Sequence, residues 1–139
     1  MSYSRLVFCK PYASKLPTGI RWKEITIGRA DMVDRSQIAD LAENVLGRLG
    51  QVDILVNNAG SNEPQALVDM TDEVWDRIVQ LNLTSCMQLS RALAPQMIER
   101  RWGRIIYVSS IMGLSSGPAR SSYSGTKAAL IGISQAQAL

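Results

Sequence analysis

Two short apolar runs, each followed by polar residues, constrain the fold of this chain more than any other feature. The first is Val52 to Val56, which leads into Asn57-Asn58-Ala59-Gly60, and the second is Ile105 to Val108, which leads into two serines. Runs of this length and density are typical of strands that are buried on both faces of a parallel sheet. The sequence therefore predicts two buried strands, each ending in a turn.

Helix-like patterns alternate with these runs. Ile38 to Leu49 has apolar residues at spacings of three and four, as amphipathic helices do. We predict three further helices: Thr71 to Leu81, which has an apolar side, a long helix through Met87 to Met97, and a last helix from about Ser121 to Leu139. A further strand candidate, Glu24 to Gly28, comes before the first helix, and Gly50 and Gly103 are suited to ending helices. The order of strand, helix, strand, helix, strand, helix predicts an α/β fold with right-handed crossovers.

Length and composition exclude several classes of protein. A chain of 139 residues with 46% apolar content suffices for one domain, and no apolar stretch approaches the roughly 20 residues of a membrane-spanning helix. Histidine is absent, and Cys9 and Cys86 have no metal-like spacing, so we expect no His-dependent nucleophile and no metal site. Two cysteines do not make a disulfide framework, which favours a cytoplasmic protein.

The positive charge of the chain lies in its N-terminal segment. The net charge is +3, and residues 1–23 contain five basic residues and no acidic one, so the remainder carries 3 − 5 = −2. This distribution argues against nucleic acid as a partner. We interpret residues 1–23 as a segment unrelated to the domain, with an organelle transit peptide as the alternative, and residues 24–139 as the domain.

Polar side chains follow the predicted strands, and open α/β sheets bind ligands at these carboxyl ends. Asn57-Asn58-Ala59-Gly60 combines amides with a glycine that lets the backbone turn close to a ligand, although by itself it is an ordinary turn. Ser109 and Ser110 follow the second strand. Tyr123 and Lys127 are four residues apart, so they share one face of the last predicted helix.

The spacing of Tyr123 and Lys127 suits acid–base chemistry. A phenol is a poor base at neutral pH unless something stabilises its anion, and a lysine ammonium about 4 to 6 Å away does so. Among the four tyrosines of the sequence, only Tyr123 has a lysine four residues later. The alternative is a surface pair that only solvates a helix.

Taken together, these motifs resemble those of the short-chain dehydrogenase/reductase family. Asn57-Asn58-Ala59-Gly60 matches the Asn-Asn-Ala-Gly motif of the family, and Tyr123 with Lys127 matches its Tyr-x-x-x-Lys. Ser110 lies 13 residues before the tyrosine, and Asn82 matches the asparagine of the intervening helix. The resemblance covers about three quarters of the chain and implies a Rossmann-like, doubly wound parallel sheet.

The resemblance implies a role for each catalytic residue. Tyr123 would be the general acid/base, and Ser110 would hydrogen bond to the substrate oxygen. Lys127 would stabilise the tyrosine anion and bind the nicotinamide ribose. Asn82 would hold a water of the proton relay.

The same resemblance implies a cofactor, NAD or NADP, and hydride transfer to or from a secondary alcohol or ketone. The residues that would bind the cofactor are Asp31, whose side chain would meet the adenine, Asn58, Ala59, Gly60, Tyr123 and Lys127. Relatives form dimers and tetramers through the two long helices, which implies that a homo-oligomer can form. Neither a nucleic acid nor a membrane is implied as a partner.

The sequence departs from the family pattern at both ends. The family begins with a Thr-Gly-x-x-x-Gly-x-Gly loop whose backbone amides bind the pyrophosphate. Thr18-Gly19 starts such a pattern, but Lys23 and Ile25 stand where the later glycines should be. The strand that selects NAD or NADP is also missing, and the sequence stops within the tyrosine helix. We therefore expect a partial fold that lacks the first βαβ unit and the C-terminal strands.

The sequence leaves two functions open. The complete catalytic set favours an oxidoreductase, whereas the missing loop favours a non-catalytic fragment that only associates with full-length subunits. The missing first strand would also leave one edge of Val52 to Val56 bare, which invites a replacement strand. The apolar run Leu6 to Cys9 is a hypothesis for that strand.

Overall fold

The computed structural model describes residues 4–11 and 22–138, with side chains from residue 28 onward. In these residues the elements are β1 (Ser4–Pro11), β2 (Trp22–Ala30), α1 (Arg35–Leu49), β3 (Ile54–Asn57), α2 (Asp72–Val79), a π-helical turn (Gln80–Thr84), α3 (Ser85–Glu99), β4 (Arg104–Tyr107) and α4 (Ser121–Gln137). Two short 3-10 turns are Leu67–Asp69 and Ile111–Gly113. The order from β2 to α4 confirms the predicted α/β alternation, and no described helix is long and apolar enough to cross a membrane.

The strands form two separate pairs. β3 and β4 are parallel, with Ile54 opposite Arg104, as a crossover through helices requires. β1 and β2 are antiparallel, with Ser4 opposite Ala30. The hypothesis that Leu6 to Cys9 lie beside the Val52 to Val56 strand is therefore wrong. β1 pairs with the strand nearest in sequence, which requires closing a much shorter loop than pairing with β3.

Local sequence signals define α1 as predicted. The Asp34 carboxylate caps its first turn and accepts hydrogen bonds from Ser36 N at 2.8 Å and Gln37 N at 3.3 Å. Hydrogen bonds from the side chains of Ser36 and Gln37 also lower the pKa of Asp34 to about 2, from an ordinary 3.8. Gly50 ends the helix with φ of 74°, a backbone conformation that favours glycine.

The apolar core lies between α1, α3 and one face of the β3–β4 pair. Its members are Ala30, Met32, Ile38, Leu41, Ala42, Val45, Leu49, Val52, Leu55, Leu81, Leu89, Leu93 and Met97. Leu55 points into it from β3, and Leu93 lies at its centre with no exposed surface. The helical faces predicted from apolar spacing are thus the faces that pack.

The opposite face of β3 and β4 is uncovered. Ile54 is 53% exposed, Val56 44%, Ile106 47% and Val108 38%, whereas Leu55 is 2% exposed. We call these four exposed residues the open face. The prediction that both strands are buried on both faces is wrong, because the described helices pack against one side of the sheet only.

The π-helical turn links α2 to α3 without a break in the helical backbone. Thr71 caps α2, with Val74 N donating to its Oγ1 at 3.4 Å. On the apolar side of this helix Trp75 is exposed, whereas Ile78 is buried. The π turn was not predicted, and it carries the matched asparagine, Asn82.

Candidate active site

Asn82 is fully buried and holds the loop that follows β3. Its Oδ1 accepts a hydrogen bond from Ser61 N at 2.8 Å, and its Nδ2 donates to Ser61 O at 2.9 Å. The same Nδ2 donates to Thr126 Oγ1 at 3.2 Å. One amide therefore fixes the positions of the loop and of α4 relative to the π turn.

Lys127 is buried beside the end of β4. Its Nζ donates to the Val108 carbonyl at 2.7 Å, and only 4% of the residue is exposed. In the other direction, the Ser109 hydroxyl donates to the Lys127 carbonyl at 2.7 Å. These two bonds attach α4 to the end of the strand, and they place a cation where the sheet ends.

Tyr123 lies on the same face of α4 as Lys127, as the spacing predicted. The Lys127 Nζ is 5.8 Å from the centre of the Tyr123 ring. Tyr123 is partly buried, and its hydroxyl makes no hydrogen bond to any residue between 28 and 138. The Thr126 hydroxyl donates to the Tyr123 carbonyl at 2.7 Å. Because this bond uses the backbone of Tyr123, the phenol oxygen stays available to a ligand.

The Asn58-Ala59-Gly60 turn passes directly over these buried groups. A Cβ atom at Gly60 would lie 3.1 Å from Asn82 Oδ1 and 3.5 Å from Lys127 Nζ. Asn58 and Gly60 are exposed, and Ala59 is partly buried. The backbone of the turn can therefore approach a ligand closely on one side while it contacts Asn82 and Lys127 on the other.

Ser110 begins the 3-10 turn after β4. Its Oγ accepts a hydrogen bond from Met112 N at 3.2 Å, and the residue is partly exposed. Because Oγ acts as an acceptor there, its own O–H stays available to donate. The structure shows no hydrogen bond between Ser110 and Tyr123.

Asp31 does not join this group. It stands directly after β2, where its carboxylate accepts a hydrogen bond from Val33 N at 3.0 Å and its own N–H donates to Gln37 Oε1. Neither bond reaches the loop after β3 or α4. Gly60, Tyr123 and Lys127 are thus connected through Asn82 and α4, and no hydrogen bond of Asp31 reaches them.

Sequence reasoning gave no role to four residues that build the site, although it named Ser109 as following the second strand. Ser61, Ser109 and Thr126 supply the hydrogen bonds described above, and Gly113 lets α4 approach, because a Cβ there would lie 2.8 Å from the backbone carbonyl carbon of Lys127. Thr126 and Ser109 have a detectable signal, since each directly precedes a predicted catalytic residue. Ser61 directly follows Gly60 and has the same kind of signal, whereas Gly113 has none.

Comparison with known proteins shows the family. The family model of the short chain dehydrogenases matches residues 12–139. The chain belongs to this family. Members use NAD(P), and the parallel β3–β4 pair with its helices is a partial Rossmann-like fold.

Individual relatives agree with the family match. One similar protein is the 3-oxoacyl-(acyl-carrier-protein) reductase FabG of Thermotoga maritima, which is 36% identical over 76% of this chain and 43% of its own length. Another is the D-beta-hydroxybutyrate dehydrogenase of Rhizobium meliloti, which is 41% identical over 79% of this chain and 43% of its own length. A crystal structure of a short-chain dehydrogenase from Streptomyces avermitilis matches with a TM-score of 0.73 and 39% identity, over 77% of this chain and 40% of that one. The chain spans less than half the length of these relatives.

The residues present fit one end of the cofactor used by short chain dehydrogenases. The exposed backbone of Asn58-Ala59-Gly60 beside Lys127 and Tyr123 makes a cradle without large side chains, which suits a ribose and a flat ring. The 139 residues contain no glycine-rich loop of the kind that binds pyrophosphate. The residues present therefore fit the nicotinamide and its ribose, and not the pyrophosphate of the cofactor.

Proposed function

We propose that this chain carries the catalytic centre of an NAD(P)-dependent oxidoreductase that acts on a secondary alcohol or ketone. The observation that carries the proposal is the pairing of a buried Lys127 with Tyr123, 5.8 Å from ammonium to ring centre, beside an exposed turn of small residues. A buried cation next to a phenol whose hydroxyl has no described partner is an arrangement suited to proton transfer.

Tyr123 acts as the general acid/base. In the reducing direction its phenol donates a proton to the oxygen of the carbonyl as that oxygen gains negative charge, and in the oxidising direction the phenolate takes the proton of the alcohol. The Lys127 ammonium stabilises the phenolate electrostatically, because burial limits screening by water. The available O–H of Ser110 donates to the same substrate oxygen.

Asn58, Ala59 and Gly60 hold the nicotinamide end of NAD or NADP together with Lys127 and Tyr123, and Asp31 meets the adenine. When bound, the nicotinamide supplies or accepts the hydride. Asn82 keeps the turn and α4 in register through Ser61 and Thr126 and supports the water of the proton relay. The fold thus sets the positions of these groups before a substrate arrives.

Titration of the purified chain with NADH and NADPH tests this proposal. We expect saturable binding, seen as a change in nucleotide fluorescence and a rise in Tm, and turnover in a screen of ketones and secondary alcohols. Tyr123→Phe should keep nucleotide binding and lose turnover by about 100-fold or more. Ser134→Ala is the control, since it removes a hydroxyl that lies outside the site and donates only to a carbonyl of its own helix. A folded chain that binds neither nucleotide would contradict the proposal.

The alternative function is a non-catalytic partner of longer short chain dehydrogenase subunits. The open face favours it, together with the fact that β3 and β4 pair with no other described strand. Unpaired strand edges and exposed apolar side chains are surfaces that another chain can cover. Co-elution of the chain with a purified longer family member, abolished by Ile54→Lys and Ile106→Lys together, would support this alternative.

A further inference from the structure

The π-helical turn before α3 changes the partner of one backbone carbonyl. In an α-helix the Ser85 amide would donate to the Leu81 carbonyl, four residues earlier. In this turn it donates instead to the Gln80 carbonyl, five residues earlier. Leu81 is buried, and its carbonyl loses the Ser85 amide as a donor. Because buried carbonyls require donors, another group has to take the place of that amide.

The side chain of Ser85 bonds to the same carbonyl. Its Oγ donates to Leu81 O at 2.6 Å, and the residue has no exposed surface. The Cys86 sulfur lies 4.0 Å from this hydroxyl, but a hydroxyl has only one hydrogen, and the shorter contact uses it. The hydroxyl of Ser85 therefore replaces its own amide as a donor to Leu81.

The Cys86 thiol bonds to the next carbonyl along the chain. Its Sγ donates to Asn82 O at 3.4 Å, and the residue is buried. Burial raises the pKa of the Cys86 thiol, and the Lys127 charge opposes this rise only in part. A thiol can donate only while it is protonated, so burial preserves this bond at neutral pH.

These two bonds fix the backbone on both sides of the Asn82 Cα atom. The Leu81 carbonyl belongs to the peptide group before that atom, and the Asn82 carbonyl belongs to the peptide group after it. Because peptide groups are planar, holding both of them sets the direction of the Asn82 side chain. That side chain accepts from Ser61 N and donates to Thr126 Oγ1, so its direction decides whether the loop after β3 and α4 stay connected.

Ser134 makes a bond of the same kind in a regular helix. Its Oγ donates to Ile131 O at 3.1 Å, and α4 is α-helical from Ser121 to Gln137. The regular backbone pattern already provides a donor for that carbonyl. Ser134 is therefore a matched control for Ser85, because only Ser85 replaces a displaced amide.

We infer that the Ser85 hydroxyl and the Cys86 thiol are positioning groups for Asn82, which hold the π turn in the form that directs the Asn82 amide at Ser61 and Thr126. Removing either donor favours a regular helix, in which the Ser85 amide returns to the Leu81 carbonyl. The Asn82 amide then turns away from Ser61. The consequence for turnover rests on the proposed function, whereas the consequence for Ser61 does not.

Amide hydrogen exchange of the full chain, followed by NMR, tests the inference. The Ser61 amide reports the position of Asn82, because it donates to Asn82 Oδ1. The Val45 amide, in the part of α1 that packs in the core, reports unfolding of the whole domain. Ser85→Ala should accelerate exchange at Ser61 about tenfold or more relative to Val45. Cys86→Ala should accelerate it about threefold, because a thiol is the weaker donor.

Cys86→Ser is the rescue variant. It removes the sulfur as Cys86→Ala does, but it keeps a donor, so exchange at Ser61 should return to the rate of the unaltered chain. Ser134→Ala should leave that rate unchanged. Equal exchange at Ser61 in Cys86→Ser and Cys86→Ala would overturn the inference, as would a Ser85→Ala variant in which Ser61 exchanges no faster than in Ser134→Ala.

Turnover distinguishes this inference from the proposed function. In a chain that reduces a ketone, Ser85→Ala and Cys86→Ala should lower kcat, and Cys86→Ser should restore it. An unaltered chain without turnover would contradict the proposed function alone. The exchange rates at Ser61 would then decide the positioning role, because they require no substrate.

Discussion

The two faces of the β3–β4 sheet have opposite surroundings, although their residues alternate along the same strands. Leu55 and Asn57 face the helices and are buried, whereas their neighbours Ile54 and Val56 form part of the open face. All but one of these residues are apolar. The comparison teaches that the apolar content of a strand does not say which of its faces is covered, because coverage depends on layers that other parts of a chain supply.

The covered face also connects the core to the site. Asn57 Nδ2 donates to Ser90 Oγ at 3.1 Å, and the Tyr107 hydroxyl lies 2.6 Å from the same oxygen. β3, α3 and β4 are thereby joined just below the turn that contains Gly60. Disturbing this face should move the site, whereas disturbing the open face should leave the site in place.

Adjacent residues of β3 give the largest expected contrast. Leu55→Ala removes a buried side chain and should lower the free energy of unfolding by about 2–5 kcal/mol. Val56→Ala removes a partly exposed one and should lower it by less than about 1 kcal/mol. Urea unfolding followed by circular dichroism measures both, and equal losses would mean that something covers the open face in solution.

Two glycines test how closely α4 packs against the end of β4. Gly113→Ala places a methyl group against the Lys127 backbone and should destabilise the fold by about 1–3 kcal/mol. Gly125→Ala is the control, since no atom outside its own stretch of helix lies within 4 Å of its Cβ position and alanine favours helix by about 1 kcal/mol. Thermal unfolding should show opposite signs for the two variants. A neutral Gly113→Ala would contradict the close approach.

Two serines sharpen the comparison further, because Ser90 bonds to β3 on the covered face, whereas Ser134 bonds only within α4. Ser90→Ala leaves Asn57 without its acceptor on the covered face and should cost about 1–3 kcal/mol. Ser134 donates only to a carbonyl of its own helix, so Ser134→Ala should change stability by less than about 0.5 kcal/mol. Urea midpoints of the two variants measure the difference, and matching values would show that the buried network does not stabilise the sheet.

Acidification tests the cap of α1, the helix on the covered side, and should have the smallest effect. Because the folded pKa of Asp34 is about 2 and the ordinary value is 3.8, its contribution to stability is present above pH 4 and is lost as the pH falls from about 4 to 2. Asp34→Asn keeps a capping oxygen without this titration. The Tm difference between the two chains should shrink over that interval. A constant difference would show that the carboxylate has no special role.

Local features of this fold could be predicted from the sequence, and non-local ones could not. Asp34 and Gly50 delimit α1 through hydrogen bonds and dihedral angles that depend on neighbouring residues alone. The pairing of β1 with β2 and the uncovered strands depend on distant segments, so periodicity carries no information about them.

The contacts of the candidate site likewise include local ones, which the sequence predicts, and non-local ones, which it does not. Tyr123 and Lys127 meet because they are one helical turn apart, so their spacing was sufficient to predict their proximity. The bridge from Asn82 to Thr126 spans 44 residues, and only the folded chain reveals it. The boundary between residues 1–23 and 24–139, and the roles given to the site residues, stay predictions.

The π-helical turn around Asn82 changes the direction in which the side chains of α3 point relative to those of α2. It contains one residue more per turn than an α-helix would, so the faces of α2 and α3 are offset by about 100°, the rotation of one residue. Deleting Leu83, which is not among the buried residues of the turn, would leave a continuous helix, yet it would turn α3 away from β3 or α2 away from α4. Substitutions that keep Leu81 and Asn82 therefore preserve this offset, whereas a change in the length of the turn does not.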